Sequence, residues 1–234
     1  YSSGLGWGLL GLGLLAMLAY AFHAHWHHNA LFRSRLFRDN PVFSIGILGN
    51  IFARFGGHAI PFVLPLMLQV VFGIGPIETG LMMMPLVLGS LASKPIIRPM
   101  IQALGYQRFL LINALLMGLC IASFALTTAD MPLWLRSLHF FLMGLLNSLQ
   151  FVSMNTLTLK DLPQQDASKG NSFLSMIQMV SMSIGVALAG TLINFFTQQY
   201  GTGQITQAFH ATLICLGAIN IIALLIFIRI PENA

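Results

Sequence analysis

Apolar stretches long enough to cross a lipid bilayer recur along nearly the whole chain, and no other feature constrains the fold as strongly. A bilayer core of about 30 Å needs about 20 apolar residues per helix. Seven runs meet that length, at about residues 5–22, 43–72, 77–97, 109–129, 133–159, 171–197 and 205–228. Inside hydrocarbon every backbone N–H and C=O must find an internal partner, which restricts spanning structures to helices and closed barrels. The short alternating segments of a barrel are missing. The expected fold is therefore an all-α membrane protein with seven transmembrane helices. Only 7% of the 234 residues are charged, against about 25% in a soluble domain. That is too little to cover a globular surface, which excludes a soluble enzyme, a disordered tail and a nucleic-acid binder.

The basic residues are placed asymmetrically. Nine of the 11 Lys and Arg residues fall on alternate connections: Arg33, Arg35 and Arg38, then Lys94, Arg98 and Arg108, then Lys160 and Lys169, and finally Arg229. The intervening connections carry Glu78 and Asp130 instead. The positive-inside rule puts the nine in the cytoplasm, with the C-terminus cytoplasmic and the N-terminus of the chain outside. Trp7 and Trp134 then mark the outer boundary and Trp26 the inner one. Cys120 and Cys215 lie within apolar runs and read as small buried hydrophobes, not as a disulfide or metal site. The chain opens on Tyr1 with no initiator Met, so a piece of a longer polypeptide is expected.

Seven helices with an outside N-terminus also describe receptors and retinal proteins. A retinal protein needs a lysine in its last helix, and residues 205–228 contain none. A purely structural subunit needs no polar residues in its bundle, yet several are present. A transporter segment fits best, with a seven-helix sensor or receptor as the alternative from another class.

The motifs add a resemblance. Leu68-Gln69 with Gly73, then Thr79-Gly80-Leu81 and Pro85, read L-Q-x-x-x-G-(x)5-T-G-L-x-x-x-P. Gly89 and the run Gly105-Tyr106-Gln107-Arg108 follow. Further on stand Ser153-Met154-Asn155-Thr156-Leu157-Thr158-Leu159-Lys160-Asp161-Leu162-Pro163 and Gly170-Asn171-Ser172, then Ser181-Met182-Ser183-Ile184-Gly185-Val186. The set resembles the second half of the fourteen-helix drug:proton antiporters of the major facilitator superfamily. The resemblance implies that residues 1–22 are the last of two extra central helices. Residues 23–41 are then a basic, His-rich cytoplasmic linker, 42–230 a C-terminal six-helix bundle and 231–234 a tail. It also implies a multi-pass protein of a bacterial inner membrane that expels small molecules against protons, with the N-terminal half of the same polypeptide as partner. The family's G-x-L-x-D-R-x-G-x-R loop is degenerate here. Gly105 and Arg108 remain, while Gln102 and Ala103 stand where the acid and its basic neighbour belong. Lys94, Arg98 and Arg108 are equally well read as plain topology determinants.

Arg54 is the most informative residue within a span. It lies about a dozen residues into its run, near the midplane at 1.5 Å per residue. A charge there costs several kcal/mol unless it meets a partner or a water-filled cavity, or snorkels to the interface. Asn50 and His58, four residues to either side, share its face. His58 reads either as a titrating group or as a structural His bonded to a carbonyl. Pro61 and Pro65 are expected to bend the outer half of the span, as a hinge or as a static kink. Gln69 follows one turn later. Asn147, Gln150, Met154 and Thr158 share one side of the fifth run; Asn171, Ser175, Gln178 and Met182 share one side of the sixth. Amides with adaptable Met suit a polyspecific pocket, and they serve equally as interhelical glue. The expected substrate pathway is thus Asn50, Arg54, His58, Gln69, Asn147, Gln150, Met154, Gln178 and Met182. Ser181, Gly185 and Ala189 read as a close-packing stripe.

None of the six Asp and Glu residues lies deep in a span. A carboxylate proton carrier would thus sit in the other half, and Arg54 would meet either a carboxylate there or an anionic substrate. The latter points to a rival reading, an exporter of small organic anions such as carboxylates. His23, His25, His27 and His28 invite a metal reading but sit beside three arginines, and a cluster on lipid headgroups is expected instead. No cofactor and no metal are expected. The chain alone is not expected to fold, because its polar faces should meet the other half.

Overall fold

The structure, a computed structural model, describes residues 8, 11–13, 15, 41–222 and 224–228. The chain divides into two compact units, Tyr1–Pro41 and Val42–Ala234. In the first, residues 8, 11–13 and 15 are helical. The remainder of the expected first span lies outside the described residues. So do Trp7, Trp26, the run His23, His25, His27 and His28, the arginines 33, 35 and 38, and Arg229 with the tail.

From Pro41 on the chain is a succession of helices: α1 (Pro41–Gly57), α2 (Ile60–Val70), α3 (Pro76–Met82), α4 (Met84–Ala92), α5 (Lys94–Ser123), α6 (Leu133–Leu159), α7 (Gln164–Tyr200), α8 (Ile205–Ile222) and α9 (Leu224–Phe227). No strand occurs among the described residues. Five stretches among them are long and apolar enough to cross a membrane: Phe43–Val70, Lys94–Leu126, Leu133–Leu159, Asp166–Tyr200 and Ile205–Ile222. Pro76–Ala92 is a shorter apolar helix.

Prolines decide where the helices break. Pro61, Pro76, Pro85 and Pro95 each stand in the first turn of a helix, where no backbone N–H is required. The expected span over 77–97 is accordingly cut at Met83 and Ser93 into three helical pieces. The third piece continues into α5. There Gly105 adopts φ 74°, ψ 162°, which is not helical, so two helices meet at one residue. A side chain at positive φ is strained and glycine is not, so the helical path breaks at this one residue where a loop over 98–108 was expected. Helical residues resume at Tyr106. The break is held on both sides. Lys160 Nζ lies 5.6 Å from the Tyr106 ring centroid, and Gln107 Nε2 donates to the Ile228 carbonyl at 2.9 Å. These contacts gather the ends of α6 and the last helix at the basic end of the bundle.

Within a bilayer, apolar burial does not drive helices together, and close backbone approach does. A Cβ on Gly144 would strike the Leu86 carbonyl, and one on Gly89 the Phe141 carbonyl, so α4 and α6 cross nearly in backbone contact. Gly118 and Gly217 bring α5 and α8 together in the same way, and Gly185 brings α7 against the Phe55 carbonyl of α1. Ser181 and Ala189 are buried on the same stripe. Two apolar clusters fill the interior. One joins Val63, Leu64, Met67, Met117, Phe124, Phe140 and Leu213; the other joins Ala53, Phe109, Leu110, Leu149, Met154 and Phe227. The opposite flank of α5, with Ile112, Leu115, Leu116 and Leu119, is exposed, as a lipid-facing surface would be.

Candidate functional site

Arg54 stands about 16 Å along the span from Phe43, at 1.5 Å per residue. Its side chain is only 5% exposed. Four residues either way along α1 bring Asn50 and His58 to the same face, and both touch it. Arg54 Nε donates to Asn50 Oδ1 at 3.0 Å, and Nη1 stands 2.6 Å from His58 Nε2. A guanidinium has no acceptor, so His58 Nε2 must accept and the ring proton belongs on Nδ1. His58 sits in the turn between α1 and α2, and its N–H still donates to the Arg54 carbonyl at 3.0 Å. Pro61 has no N–H to give the Gly57 carbonyl, and α1 ends at Gly57.

The neighbouring helices close the network. Arg54 Nη2 donates to Asn155 Oδ1 at 3.1 Å, and Gln178 Nε2 of α7 donates to the same oxygen at 2.8 Å. Asn50 Nδ2 donates to Thr158 Oγ1 at 3.1 Å and to the Gly46 carbonyl at 3.0 Å. The guanidinium carbon lies 4.2 Å from the centroid of the Phe151 ring. A cleft lies beside the guanidinium, lined by Asn50, Arg54, His58, Met117, Asn147, Gln150, Phe151 and Met154 among others. It sits between the two apolar clusters, taking Met117 from one and Met154 from the other.

The charge of this centre is uncompensated. No carboxylate among the described residues lies within ion-pair distance of Arg54; the described ion pair is Lys169–Asp166, at 3.9 Å. Amide oxygens, a neutral imidazole and an aromatic face stabilise the guanidinium without cancelling its field. A buried cation with neutral partners keeps its attraction for an incoming anion, which one held by a carboxylate largely loses.

Other residues expected on the pathway lie elsewhere. Gln69 is exposed and Met182 is 48% exposed, both away from this cluster, and Asn171 and Ser175 are exposed as well. Pro61 is exposed and Pro65 half-buried. Gly89 serves the α4–α6 crossing, Gly105 makes the break described above, and Arg108 is exposed. Three residues of the centre escaped sequence reasoning: Phe151, Asn155 and Asn113. A signal existed for the first two, since Asn147, Phe151 and Asn155 repeat every fourth residue beside the polar stripe already noted. Asn113 is an isolated amide within an apolar run; it donates to the Leu146 carbonyl at 3.0 Å and to Gln150 Oε1 at 2.7 Å. No group of His, Cys, Asp and Glu among the described residues is arranged to hold a metal ion.

Comparison with known proteins places this arrangement. The Major Facilitator Superfamily profile matches in two overlapping stretches, residues 5–186 and 46–234. The chain is 41% identical over 228 residues to the "Putative multidrug resistance protein MdtD" of Pectobacterium carotovorum subsp. carotovorum (strain PC1), covering 96% of the chain and 49% of the relative. It is 43% identical over 235 residues to the proteins of the same name from Salmonella newport (strain SL254) and Salmonella typhimurium (strain LT2), covering 97% of the chain and 49% of each. The chain thus spans about half the length of the curated relatives it matches. With profile matches running almost end to end and an all-helical, membrane-spanning fold, the chain belongs to the major facilitator superfamily of membrane transporters.

Proposed function

We propose that the chain is the C-terminal half of a proton-coupled exporter of drugs or other small molecules. In this reading it sits in a bacterial inner membrane with its basic end in the cytoplasm. Residues 1–22 are a central extra helix, 23–41 a cytoplasmic linker and 42–230 a six-helix lobe. That lobe rocks against an N-terminal lobe about a site near the midplane. The observation that carries the reading is the buried Arg54 centre, where Asn50, Asn155 and Gln178 from three helices and His58 from the α1–α2 turn converge beside a cleft. Asn147, Gln150 and Met154 would complete this lobe's wall, and the relatives' name, multidrug resistance protein, supports a drug-like cargo. Gln69 and Met182 would meet cargo, and Pro61 and Pro65 would act as a hinge, only as the two lobes move. No carboxylate lies deep in these spans. The proton carrier accordingly belongs to the other lobe. The test is efflux of ethidium from energised cells expressing the full-length polypeptide in a strain stripped of other exporters. Efflux that a protonophore abolishes is expected; efflux indifferent to the protonophore would refute proton coupling, and none at all would refute the exporter reading.

A second reading, export of small organic anions, is favoured by one observation: among the described residues Arg54 has only neutral partners. Arg54→Ala should then abolish export of carboxyfluorescein while leaving that of ethidium. Equal loss of both would return the guanidinium to a general structural role.

A further inference from the structure

We infer that Gln150 is the specificity-determining donor of this cleft: its Nε2, held in place by Asn113, takes an acceptor oxygen of the exported compound. The inference rests on the exporter reading above and adds a chemical selectivity to it. Gln150 and Asn113 are 4% and 3% exposed. Asn113 presents one side-chain atom to two neighbours, the Leu146 carbonyl at 3.0 Å and the Gln150 amide at 2.7 Å. A backbone carbonyl only accepts, so that atom is the amino group. An amino group only donates, so the Gln150 atom facing it is Oε1. Two helices therefore fix the orientation of the Gln150 amide, and its NH2 is the end left over.

That NH2 has no hydrogen-bond acceptor among the described residues, although it is buried. Buried donors are almost always paired, and leaving one unpaired is unfavourable. Gln150 lines the cleft beside Arg54. Each guanidinium nitrogen already faces an acceptor, at Asn50, His58 and Asn155. Among the described residues Gln150 Nε2 is the donor on the cleft wall that is fully buried and meets no acceptor at all. The matching cargo feature is a carbonyl, carboxylate or ether oxygen on the leading edge of a larger molecule. A site built to hydrogen-bond one group discriminates strongly against an analogue that lacks it. Asn113 touches no cargo in this scheme and acts as a positioning residue.

Two dyes of equal charge provide the test: rhodamine 6G, a cation with an ester carbonyl, and ethidium, a cation without oxygen. Initial efflux rates are measured against dye concentration in cells carrying the full-length polypeptide. Gln150→Met conserves volume and removes the donor. It should raise the KM for rhodamine 6G about tenfold or more relative to the KM for ethidium. Asn113→Leu frees the amide to turn and should raise the rhodamine 6G KM by a smaller factor at unchanged kcat. Membrane abundance and a monodisperse elution profile establish that each variant folds. If Gln150→Met impairs both dyes equally, or neither, the donor role is overturned while the exporter reading stands. If the parent protein expels neither dye, both fall together.

Discussion

Arg54 Nη1 and His58 Nε2 stand 2.6 Å apart across the point where α1 gives way to α2. One side chain belongs to the last turn of α1 and the other to the turn that Pro61 makes necessary. The contact therefore ties the charged centre to the break between α1 and α2.

Lysine should not replace Arg54. Its ammonium is a compact charge without the planar fork that here reaches Asn50, His58 and Asn155 while lying over Phe151. Arg54→Lys is expected to cut export at least about tenfold with normal membrane abundance. Dye efflux with a parallel immunoblot measures both.

Asn155→Asp would place a carboxylate where Asn155 Oδ1 now accepts from Arg54 at 3.1 Å. The new ion pair should hold the melting temperature of the solubilised protein at or above that of the parent. It should also neutralise the centre and lower carboxyfluorescein export by about tenfold, since a desolvated charge pair is worth at least about 1.4 kcal/mol. Thermal unfolding and vesicle transport on the same preparation separate the two effects.

The α4–α6 crossing tolerates no side chain at Gly144, because a Cβ there meets the Leu86 carbonyl. Gly144→Val should destabilise the protein by about 1–3 kcal/mol or more through overpacking. Gly190 of α7 has open space around it, and Gly190→Ala should fall within about 0.5 kcal/mol of the parent. Melting temperatures in detergent compare them directly.

Arg136 is 5% exposed and closes the connection between α5 and α6, donating to the carbonyls of Thr128, Ala129 and Met131 at 3.1, 2.9 and 3.3 Å. Arg136→Met keeps the packing stem and removes these bonds. Hydrogen exchange over 127–132 should quicken by about tenfold, with little change in the core helices. Peptide-resolved mass spectrometry would register it.

Among the described residues, long apolar stretches were legible in the sequence because length and hydropathy decide them. The run over 133–159 coincides with α6, and the polar face of Asn50, Arg54 and His58 follows from helical spacing. Two features were not legible. The break at Gly105 replaced a loop because positive φ at one glycine does the work of several residues, and composition does not announce a backbone angle. Asn155 and Asn113 were missed because their importance depends on which helix lies opposite. Asn155 matters only when Gln178 of α7 arrives on the same oxygen, and Asn113 only when Gln150 turns its own oxygen toward it. On the α7 stripe, regular spacing puts Gln178 and Met182 on one side; Gln178 donates to Asn155, while Met182 is exposed.

Whether the Arg54 cleft belongs to a water-filled pathway is best measured by cysteine accessibility in the full-length polypeptide on a cysteine-free background. Asn147→Cys, on the cleft wall, is compared with Leu119→Cys on the exposed apolar flank of α5. A small membrane-impermeant thiosulfonate should modify residue 147 from at least one side of the membrane and leave residue 119 unmodified. Modification of residue 119 with residue 147 inert from both sides would contradict a transport pathway at Arg54.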